Sequence, residues 1–210
     1  MILIRYSKLK GAEFIPHLDM LKHLTKILRR AGVKVNYSKG FNPHTLIFMS
    51  SPIALGLKSE SEYCLIDTEE SADGFKERFN AYSPKGIKCE EAYNAEGKVN
   101  VASDIISAVY EIEGFDYFNV NEILNLTEIY ITDKNGNEKE VRNKIISLEF
   151  NKNKLIARLK FGNETLRPDY LVNKLKELYG YKTVNVIKKS VTFKGDLNAK
   201  EYLENIKKCQ

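Results

Sequence analysis

The sequence predicts an α+β fold of two tandem ferredoxin-like domains, each a split βαβ unit with an antiparallel sheet. Two observations support this. Apolar periodicity in the first half indicates the order strand, helix, strand, strand, helix, strand. The second half repeats that order with an added hairpin, after a polar segment at Asn94–Lys98 that is typical of a linker. We therefore predict domains at residues 1–96 and 100–210, with a single larger α+β domain as the alternative.

The first domain opens with alternating apolar and polar residues, which indicate a half-buried strand. A helix follows, with Pro16 in its first turn and Gly32 just past its end. Segments 33–37 and 45–50 count as one interrupted strand in this order. The predicted elements are strand Ile2–Leu9, helix Pro16–Ala31, strands Val33–Tyr37, Thr45–Ser50 and Glu62–Asp67, helix Ser71–Tyr82 and strand Gly86–Tyr93.

The second domain carries a strong hairpin signal at Asn135-Gly136, because these residues tolerate the positive φ angles of a two-residue turn. Gly180 marks the end of its second helix. The predicted elements are an alternating stretch at Ile106–Glu113, helix Asn119–Leu126, strands Glu128–Thr132, Ile145–Phe150 and Leu155–Phe161, helix Pro168–Tyr179 and strand Thr183–Phe193.

Charge is distributed unevenly along the 210 residues. Residues 1–50 hold nine Lys and Arg against two acidic residues, a net charge of +7, whereas the whole chain carries +5. This concentration favours an anionic partner at the first domain, and a solvated charged face is the alternative. The three cysteines, at positions 64, 89 and 209, lack metal-ligand spacing and indicate reduced thiols. With neither a secretion signal nor a membrane-spanning apolar run, we expect a cytoplasmic protein.

The first helix has two stripes. Leu18, Leu21, Leu24 and Leu28 are predicted to form the buried one. The second stripe is cationic, since its members fall at i, i+4, i+7 and i+8: Lys22, Lys26, Arg29 and Arg30.

The segment Tyr37–His44, hereafter the loop, combines aromatic rings, a cation, a glycine and an Asn-Pro turn. Aromatic rings can stack on exposed bases while cations contact phosphates. We therefore predict a binding surface made of the cationic stripe and loop residues Tyr37, Lys39, Gly40, Phe41, Asn42 and His44. Two alternatives stay open: the two aromatic residues could pack in the core, or a peptide could use the same surface.

His17 and Asp19 are the candidate catalytic residues. A histidine can serve as a general acid or base, and Asp19 is close enough in sequence to orient its ring or to cap the helix. Whether these two residues meet His44 is not decided by the pattern. We predict neither a metal nor a cofactor, because phosphate-loop, nucleophile-elbow and Cys-x-x-Cys motifs are missing.

The chain resembles the radical SAM-linked (radical SAM-associated) family, an uncharacterised domain found beside or fused to radical SAM proteins. Matching positions are densest over residues 1–67 and comprise Arg5-Tyr6-x-Lys8, Gly11, Phe14, His17-Leu18-Asp19, Arg29-Arg30-Ala31-Gly32, Tyr37-Ser38-x-Gly40-Phe41-Asn42-Pro43-His44, Gly56 and Ser59-x-x-Glu62-Tyr63. The resemblance implies a radical SAM protein as partner and a role in RNA or ribosome maturation. The chain lacks the Cys-x-x-x-Cys-x-x-Cys cluster, so it is not itself the radical enzyme.

A looser likeness is to RAMP-type RNA-binding proteins, some of which cleave RNA without a metal. The sequence therefore predicts an accessory protein that binds RNA or a ribosomal particle and works with a separate radical SAM enzyme. A metal-independent RNA-processing enzyme that uses His17 is one alternative. A pure protein-interaction module is another.

Overall fold

The computed structural model describes residues 1–133, 135–180 and 184–208, and within these ranges the chain forms ten strands and five α-helices. The strands are β1 (Ile2–Lys8), β2 (Ile47–Met49), β3 (Lys58–Ile66), β4 (Ile87–Asn94), β5 (Ile105–Glu113), β6 (Tyr130–Thr132), β7 (Glu138–Glu140), β8 (Ile145–Asn151), β9 (Lys154–Lys160) and β10 (Asn185–Phe193). The helices are α1 (His17–Arg30), α2 (Phe75–Ala81), α3 (Val120–Leu124), α4 (Pro168–Tyr179) and α5 (Ala199–Lys208). No helix in these ranges is long and apolar enough to cross a membrane.

One large sheet dominates the described part of the chain. Its strand order is β4-β1-β3-β10-β5-β9-β8, with β2 also paired to β3. The pairings are antiparallel except for β10 with β3, which run parallel over two residue pairs, Ile187 with Lys58 and Lys188 with Ser59. Strands β6 and β7 form the predicted separate hairpin around Asn135-Gly136, but its turn is longer than the predicted two residues: Thr132 pairs with Glu138, and the Asp133 N–H donates to the Asn137 carbonyl at 2.9 Å. The predicted α+β class with a mostly antiparallel sheet is confirmed.

The sheet continues from the first half into the second through the parallel β3–β10 contact. The segment predicted as a linker is partly packed: Ala95 is buried, and its N–H donates to the carbonyl of Met1 at 2.9 Å. The division into residues 1–96 and 100–210 stays a prediction.

Helix α1 packs on one face of the first half of the sheet. Met20, Leu24, Ile27 and Leu28 supply its buried stripe and belong to one hydrophobic cluster with Ile2, Ile4 and Tyr6 of β1. The prediction that Leu18 joins this stripe is wrong, since 71% of that side chain is exposed. Leu18 lies about 200° around the helix from Met20, so both cannot face the sheet. Leu21 is half-buried.

Strand β1 is buried on both faces, whereas its alternating sequence predicted burial on one. Leu3 belongs to the hydrophobic cluster that extends through the second half of the chain, together with Tyr63 and Leu65 of β3. Helix α5, which was not predicted, contributes Tyr202 and Leu203 to that cluster. The second face of β1 is therefore covered by apolar residues from elements far along the chain, which periodicity within one strand does not reveal.

Several element boundaries differ from the prediction. The strand expected at Val33–Tyr37 is wrong: this segment makes only isolated bridges, Val35 with Thr68 and Tyr37 with Thr45. Strand β3 begins four residues earlier than expected, at Lys58. The last strand was predicted from Thr183, which lies outside the described residues, and β10 begins at Asn185.

Cys64 and Cys89 are free and buried, as the prediction of reduced thiols requires. Burial raises the pKa of both thiols, that of Cys89 to about 12, so both side chains are protonated at neutral pH. Cys209, the third predicted thiol, lies outside the described residues.

Candidate functional site

A groove with a volume of about 630 Å³ lies between α1 and the loop. The second half of α1 forms one wall, and the loop with its flanking residues forms the other. Leu28 and Val33 are buried apolar residues at this site, and Lys26 and Arg29 are exposed cations. The lining residues are Leu21, Lys22, Thr25, Lys26, Leu28, Arg29, Gly32, Val33, Val35, Tyr37, Pro43, His44 and Thr45. The groove thus combines an apolar surface with positive charge.

The loop is held closed by contacts between its two ends. Ser38 Oγ and His44 Nδ1 are joined by a hydrogen bond of 2.8 Å. The His44 backbone N–H donates to the same Ser38 hydroxyl at 3.1 Å, and the Ser38 N–H donates to the His44 carbonyl at 2.9 Å. Three contacts between these two residues fix the His44 imidazole at the edge of the groove.

The base of the loop is attached to the rest of the first half. The Leu46 N–H donates to the Asn36 carbonyl at 2.9 Å, and the Asn36 side-chain amide donates to Asp67 at 3.0 Å. The Thr45 and Thr25 hydroxyl groups are joined at 3.1 Å, which connects the residue directly after the loop to α1. These contacts hold the loop beside the cationic stripe.

The cations of the stripe differ in their local partners. Lys22 Nζ donates to Asp19 Oδ1 at 2.8 Å. This hydrogen bond is the main reason that the pKa of Asp19 is lowered, and it occupies the carboxylate that was predicted to orient His17 or cap the helix. Within the described part of the chain, the side chains of Lys26 and Arg29 make neither a hydrogen bond nor an ion pair, and both are exposed. Their charges are therefore available to a bound anion.

The loop tip projects into solvent. Phe41 is fully exposed, and Tyr37 is 59% exposed, so the alternative that these rings pack in the core is wrong. Lys39, Gly40 and Asn42 are also exposed, and the positive φ of 129° at Gly40 is a backbone conformation that favours glycine. Arg30 is exposed at the end of α1 and does not line the groove. The other predicted binding residues lie either in the wall of the groove or at the exposed tip of the loop.

His17 lies at the opposite end of α1, where it lines a different cavity of about 450 Å³. Thr25, which contacts Thr45 directly after the loop, comes eight residues after His17, or about 12 Å along the helix axis. His17 and His44 therefore belong to separate sites, and Asp19 is paired with Lys22. In residues 1–133, 135–180 and 184–208, no three His, Cys, Asp or Glu side chains are grouped so that they could hold a metal ion.

The cavity beside His17 contains charged residues that the site prediction missed. Lys8 and Glu62 are buried, and Arg167 reaches the same cavity from the second half of the chain. Glu62 Oε1 lies 2.5 Å from Nζ of the fully buried Lys188. Burial lowers the pKa of Lys8, an effect that the carboxylates of Glu62 and Glu13 oppose. A lysine in an alternating strand carries no sequence signal of its burial, because that depends on covering elements.

Residues 1–168 match the model of the family described as an uncharacterised protein conserved in bacteria (DUF2344), and the chain belongs to that family. The match spans the loop, α1 and both cavities. No curated protein matches the chain.

Proposed function

We propose that this DUF2344 protein binds RNA, free or in a ribonucleoprotein, in the groove between α1 and the loop, as an accessory to a separate radical SAM enzyme. The observation that carries the RNA proposal is the groove itself. It places the cations Lys26 and Arg29 beside the exposed ring of Tyr37 and an apolar floor. A single strand offers phosphates and unstacked bases together, and this combination suits it.

The proposed contacts divide by chemistry. Lys26 and Arg29 meet backbone phosphates, with Lys22 joining them if it exchanges Asp19 for a phosphate. Tyr37 and Phe41 present ring faces on which successive bases stack. His44, held by Ser38, adds a hydrogen-bonding group at the groove edge. Because these residues would contact phosphates and the faces of the bases, we expect the protein to prefer single-stranded RNA without preferring one sequence.

The radical SAM partner rests on the resemblance of residues 1–67 to the radical SAM-linked family. The chain contains no cysteine cluster for an iron–sulfur site, so the partner would supply the radical chemistry. Affinity purification of the tagged protein from its native host tests this part. Recovery of a radical SAM protein supports it, and repeated recovery without one contradicts it.

We also infer that each half is a ferredoxin-like unit. Strands of the first half lie in the order β4-β1-β3-β2, and those of the second half lie in the order β10-β5-β9-β8. Each order supports a split βαβ unit, in which the first strand lies between the third and the fourth. This architecture does not identify a function, because ferredoxin-like domains serve many.

The RNA proposal is tested by fluorescence anisotropy with a labelled single-stranded RNA over a salt series. Wild-type protein should bind with a negative slope of log affinity against log salt. The Lys26→Gln/Arg29→Gln variant should reduce that slope by about 1.4, since each lost phosphate contact in a single strand contributes about 0.7. The matched control is Lys85→Gln/Lys98→Gln, which removes two exposed lysines away from the groove.

A flat salt dependence, or equal losses in both double variants, would reject the RNA proposal. Tight protein capture without RNA binding would instead favour a pure protein-interaction module. RNA cleavage by His17 is tested separately, by the rate at which wild-type protein and His17→Ala cleave a cleavable RNA. A lower cleavage rate in His17→Ala would favour the enzyme alternative, and an unchanged rate would reject it.

A further inference from the structure

The cavity beside His17 lies at the junction of the two halves of the chain. The start of α1 supplies Pro16 and His17, strands β1 and β3 supply Lys8 and Glu62, and the residue before α4 supplies Arg167. Its volume of about 450 Å³ is within the range of small-molecule pockets. The cavity shares no lining residue with the groove between α1 and the loop.

Lys8 is the informative side chain in this cavity. It is only 5% exposed, and within the described ranges its side chain makes neither a hydrogen bond nor an ion pair. A buried ammonium group normally has an acceptor for its three donors, because burying an unpaired charge is costly. Because Lys8 lines the cavity, a ligand there could accept hydrogen bonds from its ammonium group.

The two nearby carboxylates already have closer partners. Glu62 Oε1 is 2.5 Å from Lys188 Nζ, and Glu13 Oε2 accepts a hydrogen bond of 2.6 Å from the Gly11 N–H. Both carboxylates act on Lys8 at longer range. The ammonium of Lys8 is thus partly balanced in charge but lacks a direct hydrogen-bond acceptor.

Two helix starts border the cavity, and neither has a side-chain cap. Pro16 precedes α1 and Arg167 precedes α4, and neither makes a capping hydrogen bond. Free N–H groups and the helix dipole favour an anion at the start of α1, whereas Pro168, the first residue of α4, has no N–H to donate. The Arg167 guanidinium is neutralised by a two-pronged contact with Asp169, so Lys8 remains the main cationic group for a ligand.

Apart from Tyr6, whose hydroxyl is polar, the rest of the wall is apolar and includes Ile15, Met20, Met49, Ile53 and Leu55. An inorganic ion would leave this surface without contacts, whereas an organic anion would cover it. We propose that the cavity binds a small organic anion, whose phosphate or carboxylate group contacts Lys8 and the start of α1 while its apolar part packs on Ile15, Met20 and Ile53.

Isothermal titration calorimetry of the full chain tests this proposal. The probes are phenyl phosphate and benzoate as organic anions, phenol as the neutral body, and inorganic phosphate as the head group alone. We expect saturable binding of at least one organic anion, at least tenfold tighter than phenol and inorganic phosphate. No saturable binding, or equal binding of phenol and both anions, would overturn the proposal. The preferred anion distinguishes a phosphate ligand from a carboxylate ligand.

The Lys8→Met variant keeps an unbranched side chain of similar shape, one atom shorter, and removes the charge. It should bind the preferred anion at least about tenfold more weakly, because the variant loses a charge-assisted hydrogen bond. Lys10→Met, an exposed change two residues away, should bind like wild type. Equal affinity of a folded Lys8→Met variant would contradict the proposal.

A measurement on wild-type protein covers the case in which Lys8→Met does not fold. In a ¹H–¹⁵N NMR titration with the preferred anion, the amides of His17, Leu18 and Asp19 should shift, and those of the loop should not. Shifts confined to other regions would overturn the assignment of the site. Because the probes carry no RNA, failure here is separate from failure of the RNA proposal.

Discussion

The hydroxyl groups of Thr25 and Thr45 are joined by a hydrogen bond of 3.1 Å, which links the middle of α1 to the residue directly after the loop. The Thr25 hydroxyl donates its one proton to the Leu21 carbonyl at 2.9 Å, so Thr45 is the donor in the bond between the two hydroxyl groups. The backbone of Thr45 also pairs with that of Tyr37. The contact between Thr25 and Thr45 therefore helps to hold Tyr37 at one distance from the cationic stripe. RNA binding should therefore depend on Thr45 even if this residue does not touch the RNA.

Thr45→Val removes the hydroxyl and keeps the shape of the side chain. We expect the free energy of unfolding to fall by about 1 kcal/mol, the usual net value of one hydrogen bond. RNA affinity should fall several-fold, because the loop no longer holds one distance from α1. Urea denaturation and fluorescence anisotropy measure the two effects. Thr127→Val, at an exposed position in the second half, is the control and should change neither.

Phe41→Ala tests base stacking at the loop tip. The ring is fully exposed, so its removal should leave the free energy of unfolding unchanged. RNA binding should weaken by about 1–3 kcal/mol, the range for loss of one stacked base. Tyr117→Ala removes a ring that is 78% exposed in the second half, and it should leave affinity unchanged. Equal losses in the two variants would show that stacking is not specific to the loop.

Breaking the buried ion pair between Lys188 and Glu62 should lower the free energy of unfolding strongly, whereas replacing both residues by apolar ones should lower it little. Lys188→Met leaves a buried carboxylate without its partner, so we expect a loss of about 3–5 kcal/mol in the free energy of unfolding. Lys188→Met/Glu62→Leu removes both charges and should recover most of that loss. Urea denaturation of the single and double variants measures the difference. Lys207→Met, which breaks an exposed pair with Glu96, should cost less than about 1 kcal/mol.

Asp104 connects the C-terminal part of the chain to β5. Its carboxylate accepts hydrogen bonds of 2.7 Å from Lys194 Nζ and from the Tyr202 hydroxyl, and one of 2.6 Å from the Asn100 N–H. Burial raises the pKa of this carboxyl, but the three donors outweigh burial and the net pKa is lowered. The charged form therefore stabilises the fold.

A lowered pKa fixes the sign of the pH dependence. The contribution of Asp104 is fully present above its unfolded pKa and is lost as the pH falls through its folded value. Asp104→Asn should cost about 2 kcal/mol at pH 7, and its deficit against wild type should shrink as the pH falls below about 4. Urea denaturation across the pH range tests this. The exposed control Glu204→Gln should track wild type, and a deficit for Asp104→Asn that grows on acidification would contradict the account.

Much of the groove could be predicted because it is built from short-range patterns. The i, i+4, i+7 spacing places Lys22, Lys26 and Arg29 on one side of a helix, and the loop follows that helix directly. What the pattern could not supply was the distance between them, which depends on contacts such as Thr25 with Thr45. Arg30 is eight residues after Lys22 but lies outside the groove, since its side chain is about 100° around the helix from that of Arg29.

The second cavity was not predictable in the same way. Lys8, Glu62 and Arg167 are brought together by strand pairing and by the junction of the two halves, and no local pattern encodes that meeting. Helix α5 is a different case. Asn198 and Glu201 bond to each other's backbone N–H groups at 3.0 Å, and an Asn-x-x-Glu capping signal for this helix is visible in the sequence.

Ultraviolet crosslinking to a 4-thiouridine single-stranded RNA, followed by mass spectrometry of the crosslinked peptides, tests the central claim most directly. The account predicts crosslinks to Tyr37, Phe41 or His44, and their loss in Lys26→Gln/Arg29→Gln at moderate salt. Crosslinks confined to the second half of the chain, or none on a folded protein, would contradict it.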